Sequence, residues 1–311
     1  MKNILITGGA GYIGSKLATK LLELNFNVTV LDVLKFSSKS VSHLFFDKKF
    51  KFIKGDVRNK KLMKSLVKKN EFIIPLAALV GAPLCEKNKS EAISVNLKSI
   101  KFLMNNIGKK NKIIYLTTNS GYGIGEKNKY CNELSPLNPI SLYGKTKVEA
   151  EKIVMQYKNS IAFRLATVFG YSYRMRTDLL VNNFVFKSIQ DKKLTIFEPN
   201  FRRNYIHIDD VVDGIIFSIK NFASLKSNVF NLGLSSGNLT KYMLAKEIKK
   251  KLRYLKIKIV KNKKDPDQRD YFVSNKKIEK KGFKATIKIE DGINELIKVF
   301  THNKEKIINN Y

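Results

Sequence analysis

Two groups of residues in this chain are spaced to do chemistry. The first is Thr7-Gly8-Gly9-Ala10-Gly11-Tyr12-Ile13-Gly14, which contains G-x-G-x-x-G at Gly9, Gly11 and Gly14 and a second glycine series starting at Gly8. Glycines at this spacing let a backbone turn tightly and approach a pyrophosphate, which then sits at the positive end of the helix that follows. Asp32 stands eighteen residues beyond Gly14. A carboxylate there accepts hydrogen bonds from both ribose hydroxyls of an adenosine and repels a 2′-phosphate, so the pattern reads as a site for NAD rather than NADP. The second group is Pro139-Ile140-Ser141-Leu142-Tyr143-Gly144-Lys145-Thr146-Lys147. A helix starting at Pro139 brings Tyr143 and Lys147, four residues apart, onto one face. The Lys147 ammonium is then expected to favour tyrosinate and to lower the phenol's pKa from its usual value of about 10. Tyr143 could take the proton of a substrate hydroxyl while the carbon beneath it gives hydride to the nicotinamide, with Thr118 holding that hydroxyl by a hydrogen bond.

Smaller signals extend the cofactor site. In Gly55-Asp56-Val57, Asp56 is offered to the adenine amine, or alternatively caps a helix. Leu76-Ala77-Ala78 supplies small side chains over which a dinucleotide can lie. The expected cofactor contacts are Gly8, Gly11, Tyr12, Ile13, Gly14, Asp32, Asp56, Val57, Leu76, Ala77, Ala78 and Asn96, with Tyr143 and Lys147 beside the nicotinamide.

The elements that must carry these residues are legible as short apolar runs alternating with amphipathic stretches. The runs are Ile4-Leu5-Ile6, Val28-Thr29-Val30-Leu31, Phe50-Lys51-Phe52-Ile53, Phe72-Ile73-Ile74, Ile113-Ile114-Tyr115-Leu116 and Ile161-Ala162-Phe163. Between the first two, Ile13, Leu17, Leu21 and Leu24 recur at helical spacing. This alternation is that of βαβ units, and parallel strands buried on both faces read as continuous apolar runs. The fold class is α/β: a Rossmann-type doubly wound parallel sheet over residues 1–168, with a returning segment near 205–232. A smaller C-terminal α/β lobe for substrate is expected over 169–204 and 233–311. Within it, a helix starting at Thr240 carries Leu244, Ala245, Ile248 and Leu252 on one face. Ile293, Leu296, Ile297 and Phe300 form the stripe of another.

Composition excludes several classes. With 43% hydrophobic residues the chain has the material for a packed core. No apolar stretch approaches the ~20 residues of a membrane span. Met1-Lys2-Asn3 leads straight into a strand, so no leader and no membrane partner are expected. Cys85 and Cys131 are too few for a disulfide framework and lack metal-ligand spacing, which fits a cytoplasmic protein with reduced thiols and no metal. Cys85, in a small-residue loop, is expected to pack rather than to touch substrate. The net charge of +33 invites a nucleic-acid reading. Against it, only eight of the 59 basic residues are arginine and the lysines run from Lys2 to Lys306 without a block. Lysine- and asparagine-rich usage follows from AT-rich codons, so no nucleic-acid partner is expected; what remains is attraction for anionic ligands.

The glycine motif, Asp32, Thr118, Tyr143 and Lys147, in this order, resemble the extended short-chain dehydrogenase/reductases, and more narrowly the NAD-dependent epimerase/dehydratase family acting on nucleotide-activated sugars. Arg164-Leu165-Ala166-Thr167-Val168-Phe169-Gly170 and Arg203-Asn204-Tyr205-Ile206-His207-Ile208-Asp209-Asp210 resemble later segments of that family. The resemblance implies that Arg203 and Arg269 clamp the substrate's diphosphate, that Asn182 or Asn183 contacts it nearby, and that Arg174 and Arg176 join them. It also implies a homodimer through a four-helix bundle, built from the helix bearing Tyr143 and its neighbour near Asn96 to Ile107. His207 is expected to be a satisfied structural histidine.

Dehydratases and decarboxylases of this family carry acidic residues just after the catalytic threonine. Here Asn119 and Ser120 stand at those positions, among the expected substrate contacts, and neither can eliminate water. Glu126 or Glu133 could intrude in three dimensions. Four segments resemble bacterial capsule enzymes that oxidise C4 of GDP-manno-heptose: residues 76–85, 119–126, 174–176 and 265–271. Pro75 and Thr167 depart from the galactose-type epimerase pattern. The expected activity is NAD-dependent oxidation at C4 of a GDP-linked heptose or hexose, with a 4-epimerase as the same-fold alternative and a 4,6-dehydratase behind it. From other classes stand a catalytically silent NAD-binding scaffold and a basic nucleic-acid-binding protein.

Overall fold

In the computed structural model, which describes residues 2–36, 38–126, 129–260 and 269–302, the apolar runs become the strands of one parallel sheet. The strands are β1 Asn3–Thr7, β2 Asn27–Asp32, β3 Phe50–Lys54, β4 Phe72–Pro75, β5 Lys112–Thr118, β6 Ser160–Leu165 and β7 Asn228–Leu232. Their order across the sheet is β3-β2-β1-β4-β5-β6-β7, every neighbouring pair parallel. β4 and β6 are buried along their whole length, as strands covered on both faces must be. β3, at the edge, is only partly covered. The chain order reverses between β1 and β4, and such a switch point opens a crevice beyond the carboxyl ends of the strands. Thr7, Asp32, Pro75 and Thr118 all end strands on that edge.

β7 comes from far along the chain and extends the sheet beyond β6. The remaining strands form smaller sheets: Thr167–Phe169 with Arg202–His207 and Asn238–Thr240, Lys193–Phe197 with Lys256–Val260, and Tyr130–Cys131 with Phe272–Val273. One apolar core runs unbroken from the sheet into these elements, joining Ile4 and Leu17 to Val181, Leu244, Leu296 and Phe300. The helix expected at Thr240 forms as Lys241–Lys251, and the Thr240 hydroxyl caps it by accepting from the Met243 amide at 3.1 Å. The stripe ending at Phe300 lies on helix Ile289–His302. Among the described residues no helix is long and apolar enough to cross a membrane.

Candidate active site

The glycine turn is built by close approach. Gly8 has φ +71°, and a Cβ there would lie 2.6 Å from the Ala77 nitrogen. A Cβ on Gly14 would lie 2.5 Å from the Gly8 carbonyl oxygen. Only glycine fits at either point, because the turn, the first helix and the β4 loop pack backbone on backbone. Helix Tyr12–Glu23 follows, with Gly11 at its N-cap and no side chain bonded over its first amides. That end faces a cavity of about 840 Å³, lined by the glycine turn, the ends of the central strands and residues of the second lobe. A helix N-terminus that opens onto a cavity beside glycine backbone fits a pyrophosphate.

Asp32, half-buried at the end of β2, lines the same cavity. Its carboxylate accepts from the Ala10 amide at 3.0 Å and the Leu34 amide at 2.8 Å. Burial raises its pKa and those amides oppose the rise. Asp56 lines the cavity as well, but its carboxylate is forked by the Arg58 guanidinium, with Nε 2.9 Å from Oδ1. That contact holds it below the usual carboxylate range. Asp56 is not the helix cap: Asn59 caps Lys60–Lys69 by accepting from the Leu62 amide. Tyr12, Ile13, Val57, Leu76, Ala77 and Ala78 also reach the cavity.

Asn96 does not line it. Its amide is spent on the loop after β4, accepting from Leu79 N at 2.8 Å and donating to Leu79 O at 2.9 Å. It therefore braces the Leu79 turn of the cavity wall from behind. Cys85 is packed in the same region, fully buried, its thiol 3.4 Å from the Leu79 carbonyl oxygen.

Tyr143 and Lys147 lie on helix Leu142–Met155, which starts three residues later than Pro139 because Ser141 caps it, accepting from the Gly144 amide at 3.2 Å. Both side chains line the cavity together with Thr118. The electrostatics differ from the expectation. Burial pushes the Tyr143 phenol up to about 12, and the cations that oppose it are Arg269 and Arg176. Lys147 is itself pulled down to about 7 by burial, with its Nζ 4.2 Å from the centre of the Tyr115 ring. Of the charged groups around the phenol, Arg269 and Arg176 favour its ionised form.

Thr118, at the end of β5, shares a hydrogen bond with the Ser120 hydroxyl at 2.8 Å, and Arg269 reaches that same hydroxyl. Arg203 and Tyr271 stand together on the second-lobe side, the guanidinium 5.7 Å from the ring. Arg176 is forked by Asp178, and Arg174 is 6% exposed; all four arginines line the cavity. Asn119, Asn182 and Asn183 do not. Asn119 is buried behind the wall, and its amide has no hydrogen-bond partner among the described residues. Asn182 donates to the Arg176 carbonyl at 2.8 Å and accepts from Gly170 N at 3.1 Å, while Asn183 donates to the Thr177 carbonyl at 2.9 Å. Both hold the loop that carries Arg174 and Arg176. Neither glutamate intrudes: Glu133 accepts from Asn231 N at 2.7 Å, and Glu126 pairs on the surface with Lys129. His207 caps helix Ile208–Lys220 and lies 2.7 Å from Glu295, a satisfied histidine. Residues 265–268 lie outside the described residues.

Sequence reading missed Arg58, Phe36, Asp178 and Lys241, all in the cavity wall. Asp178, two residues past Arg176, was visible as an adjacent opposite charge. Phe36 and Lys241 carried no signal, since an apolar ring in a loop and one lysine among 51 stand out from nothing.

Residues 4–233 match the family model of the NAD dependent epimerase/dehydratase family. The chain belongs to this family. Among curated relatives, it is 28% identical to the trifunctional UDP-glucose 4,6-dehydratase/UDP-4-keto-6-deoxy-D-glucose 3,5-epimerase/UDP-4-keto-L-rhamnose-reductase of Arabidopsis thaliana, over 98% of this chain and 48% of that protein. It is 30% identical to the dTDP-D-glucose 4,6-dehydratase of Dictyostelium discoideum, over 75% of this chain and 58% of that one. The chain thus spans about half the length of these two relatives. A UDP-glucose 4-epimerase of Lactobacillus helveticus is 28% identical, over 75% of this chain and 77% of its own. The fold is shared with a UDP-glucuronic acid 4-epimerase from Bacillus cereus, solved with UDP-glucuronic acid and NAD. Its TM-score is 0.83 at 24% identity, over 96% of this chain and 99% of that one.

Proposed function

We propose that this protein oxidises C4 of a nucleotide-activated sugar with NAD as hydride acceptor, and that Tyr143, Lys147 and Thr118 are the residues that do it. The observation that carries the reading is the meeting of two independent motifs in one cavity. The glycine turn with Asp32 lines one part of its wall, and Tyr143, Lys147 and Thr118 line another. Gly8, Gly11, Gly14 and the first helix would hold the cofactor's pyrophosphate and Asp32 its ribose; the bound nicotinamide supplies the hydride-accepting carbon. Thr118 positions the substrate hydroxyl, and Tyr143, its own phenolic proton passed to Lys147, takes the hydroxyl's proton, favoured by Arg269 and Arg176. Lys147, poised near neutrality, can give or receive a proton beside the phenol. Arg203 and Arg269 suit the diphosphate.

Net oxidation is favoured over 4,6-dehydration by the acidic residues of the cavity wall. These are Asp32, Asp56, Glu91 and Asp178. Asp32 bonds backbone amides, Asp56 is forked by Arg58, Glu91 pairs with Lys35 and Asp178 with Arg176. None follows Thr118, where elimination needs its acid and base. The finer part of the proposal, a GDP-linked heptose or hexose, rests on the segments that resemble GDP-manno-heptose 4-dehydrogenases. Assembly as a homodimer through helix Leu142–Met155 and its neighbour near Asn96 to Ile107 belongs to the same proposal.

The test adds GDP-, UDP- and dTDP-sugars with NAD and follows the near-ultraviolet absorbance of reduced nicotinamide. NADH accumulating with a ketone product is the expected result and names the substrate. An epimerised sugar without lasting NADH makes the protein a 4-epimerase, and a 6-deoxy-4-keto product makes it a dehydratase.

A further inference from the structure

Ser120 stands among the expected substrate contacts, yet its hydroxyl is engaged on both sides within the protein. The Arg269 guanidinium reaches Ser120 Oγ, and that oxygen lies 2.8 Å from Thr118 Oγ1. Thr118 also caps the turn Asn119–Tyr122, its Oγ1 accepting from the Ser120 amide at 3.1 Å. Among the described residues neither hydroxyl has a further hydrogen-bond partner. Ser120 is buried, and Thr118, Ser120 and Arg269 all line the cavity that Tyr143 lines.

The chemistry of these groups gives the bonds one direction. A guanidinium has only donors, so Ser120 Oγ accepts from Arg269. A hydroxyl carries one hydrogen and two lone pairs, which leaves the Ser120 hydrogen to go to Thr118. Thr118 Oγ1 then accepts twice, from the Ser120 amide and from its hydroxyl, and its own hydrogen is left for an oxygen in the cavity. The opposite sense would turn the Thr118 hydrogen toward the guanidinium, against the field of the cation.

We propose that Arg269, Ser120 and Thr118 form a one-way hydrogen-bond relay that fixes Thr118 as a donor to the substrate oxygen at C4, with Ser120 a positioning residue rather than a substrate contact. As the substrate hydroxyl gives its proton to Tyr143, its oxygen gains negative charge and receives the Thr118 hydrogen, and the arginine's charge is transmitted to it through two hydroxyls. A carboxylate at position 120 has only acceptors. It would accept from both Arg269 and Thr118 and turn the Thr118 hydrogen away from the substrate. The inference rests on the C4-oxidation reading and deepens it.

Two measurements test the relay. Neutron diffraction on deuterium-exchanged crystals of the holoenzyme locates the hydroxyl deuterons. The Ser120 deuteron is expected on the line to Thr118 Oγ1; a Thr118 deuteron on the line to Ser120 Oγ overturns the relay. With the nucleotide sugar found active, Ser120→Ala is expected to lower kcat about tenfold while KM changes less than about threefold. In a Thr118→Ala background the same substitution should lower kcat less than about twofold, because the two residues act through one bond. Equal losses in both backgrounds overturn the inference by making Ser120 independent of Thr118. A loss confined to KM overturns it by making Ser120 a substrate contact. Failure of the wild type to convert any nucleotide sugar would sink the functional reading, while the neutron map still decides the direction of the relay.

Discussion

Burial acts on Tyr143 and Lys147 in opposite directions, raising the one to about 12 and lowering the other to about 7. A phenol that resists ionisation needs an acceptor and a nearby positive charge at the moment of reaction, which Arg269 and Arg176 supply in part. Tyr143→Phe keeps the shape and loses the proton acceptor. Turnover should fall by about 10² to 10⁴-fold, with NADH exchange unaltered; near-normal turnover would remove Tyr143 from the mechanism. Lys147 carries a stability consequence with a definite sign. Its folded pKa lies below its ordinary 10.5, so between about pH 7 and 10 the unfolded chain holds a proton that the folded chain lacks. Stability from this group therefore rises with pH across that window. Tyr143, raised above its ordinary 10.0, acts oppositely above pH 10, where the folded chain keeps the extra proton and stability falls. Urea unfolding of wild type and Lys147→Met should show the difference moving in favour of wild type as pH rises from neutrality toward 10. A difference that stays flat would mean Lys147 is charged in the fold.

The helix that carries this pair is anchored by a buried ion pair to the strand it covers. Glu151 accepts from Arg164 at 2.7 Å, and both side chains are under 10% exposed. Removing one partner strands the other charge in the core. Glu151→Leu should destabilise by about 3 kcal/mol, checked by denaturant midpoint, with the loss of stability larger than that of Glu151→Gln. Asn182 does similar work for the loop of Arg174 and Arg176, being fully buried with its amide bonded to Gly170 and Arg176. Asn182→Leu should cost about 2 kcal/mol and raise KM for the sugar more than it lowers kcat. An unchanged KM would show that the loop keeps its form without that brace. Asn96 illustrates why such supports were misread as contacts. It sits in a π turn, Ser94–Lys98, that interrupts the helical run, and a one-residue change of helical phase redirects a side chain without leaving a mark in the pattern of apolar residues.

At the scale of the molecule, the charge of +33 leaves one functional trace, the cationic second-lobe wall of the cavity. KM for the nucleotide sugar should rise with ionic strength as screening weakens its attraction, whereas a KM indifferent to salt would confine the effect to buried contacts. The doubly wound sheet, the glycine turn, Asp32 at the end of β2 and the shared face of Tyr143 and Lys147 could all be read from the chain. Each depends on short-range rules: periodicity, backbone sterics at glycine, and four-residue helical spacing. β7 could be anticipated only as a returning segment, since a strand gives no sign of which distant neighbour it will join. The tertiary structure alone decided which polar residues face the cavity. It spent the amides of Asn96, Asn182 and Asn183 on backbone groups, buried Asn119, forked Asp56 with Arg58, and set Arg269 and Arg176 as cations that favour the ionised form of Tyr143. It also brought Phe36 and Arg174, distant in the chain, to 4.1 Å from each other. Burial and long-range pairing set those outcomes, and both are properties of the packed volume that no local stretch of sequence contains.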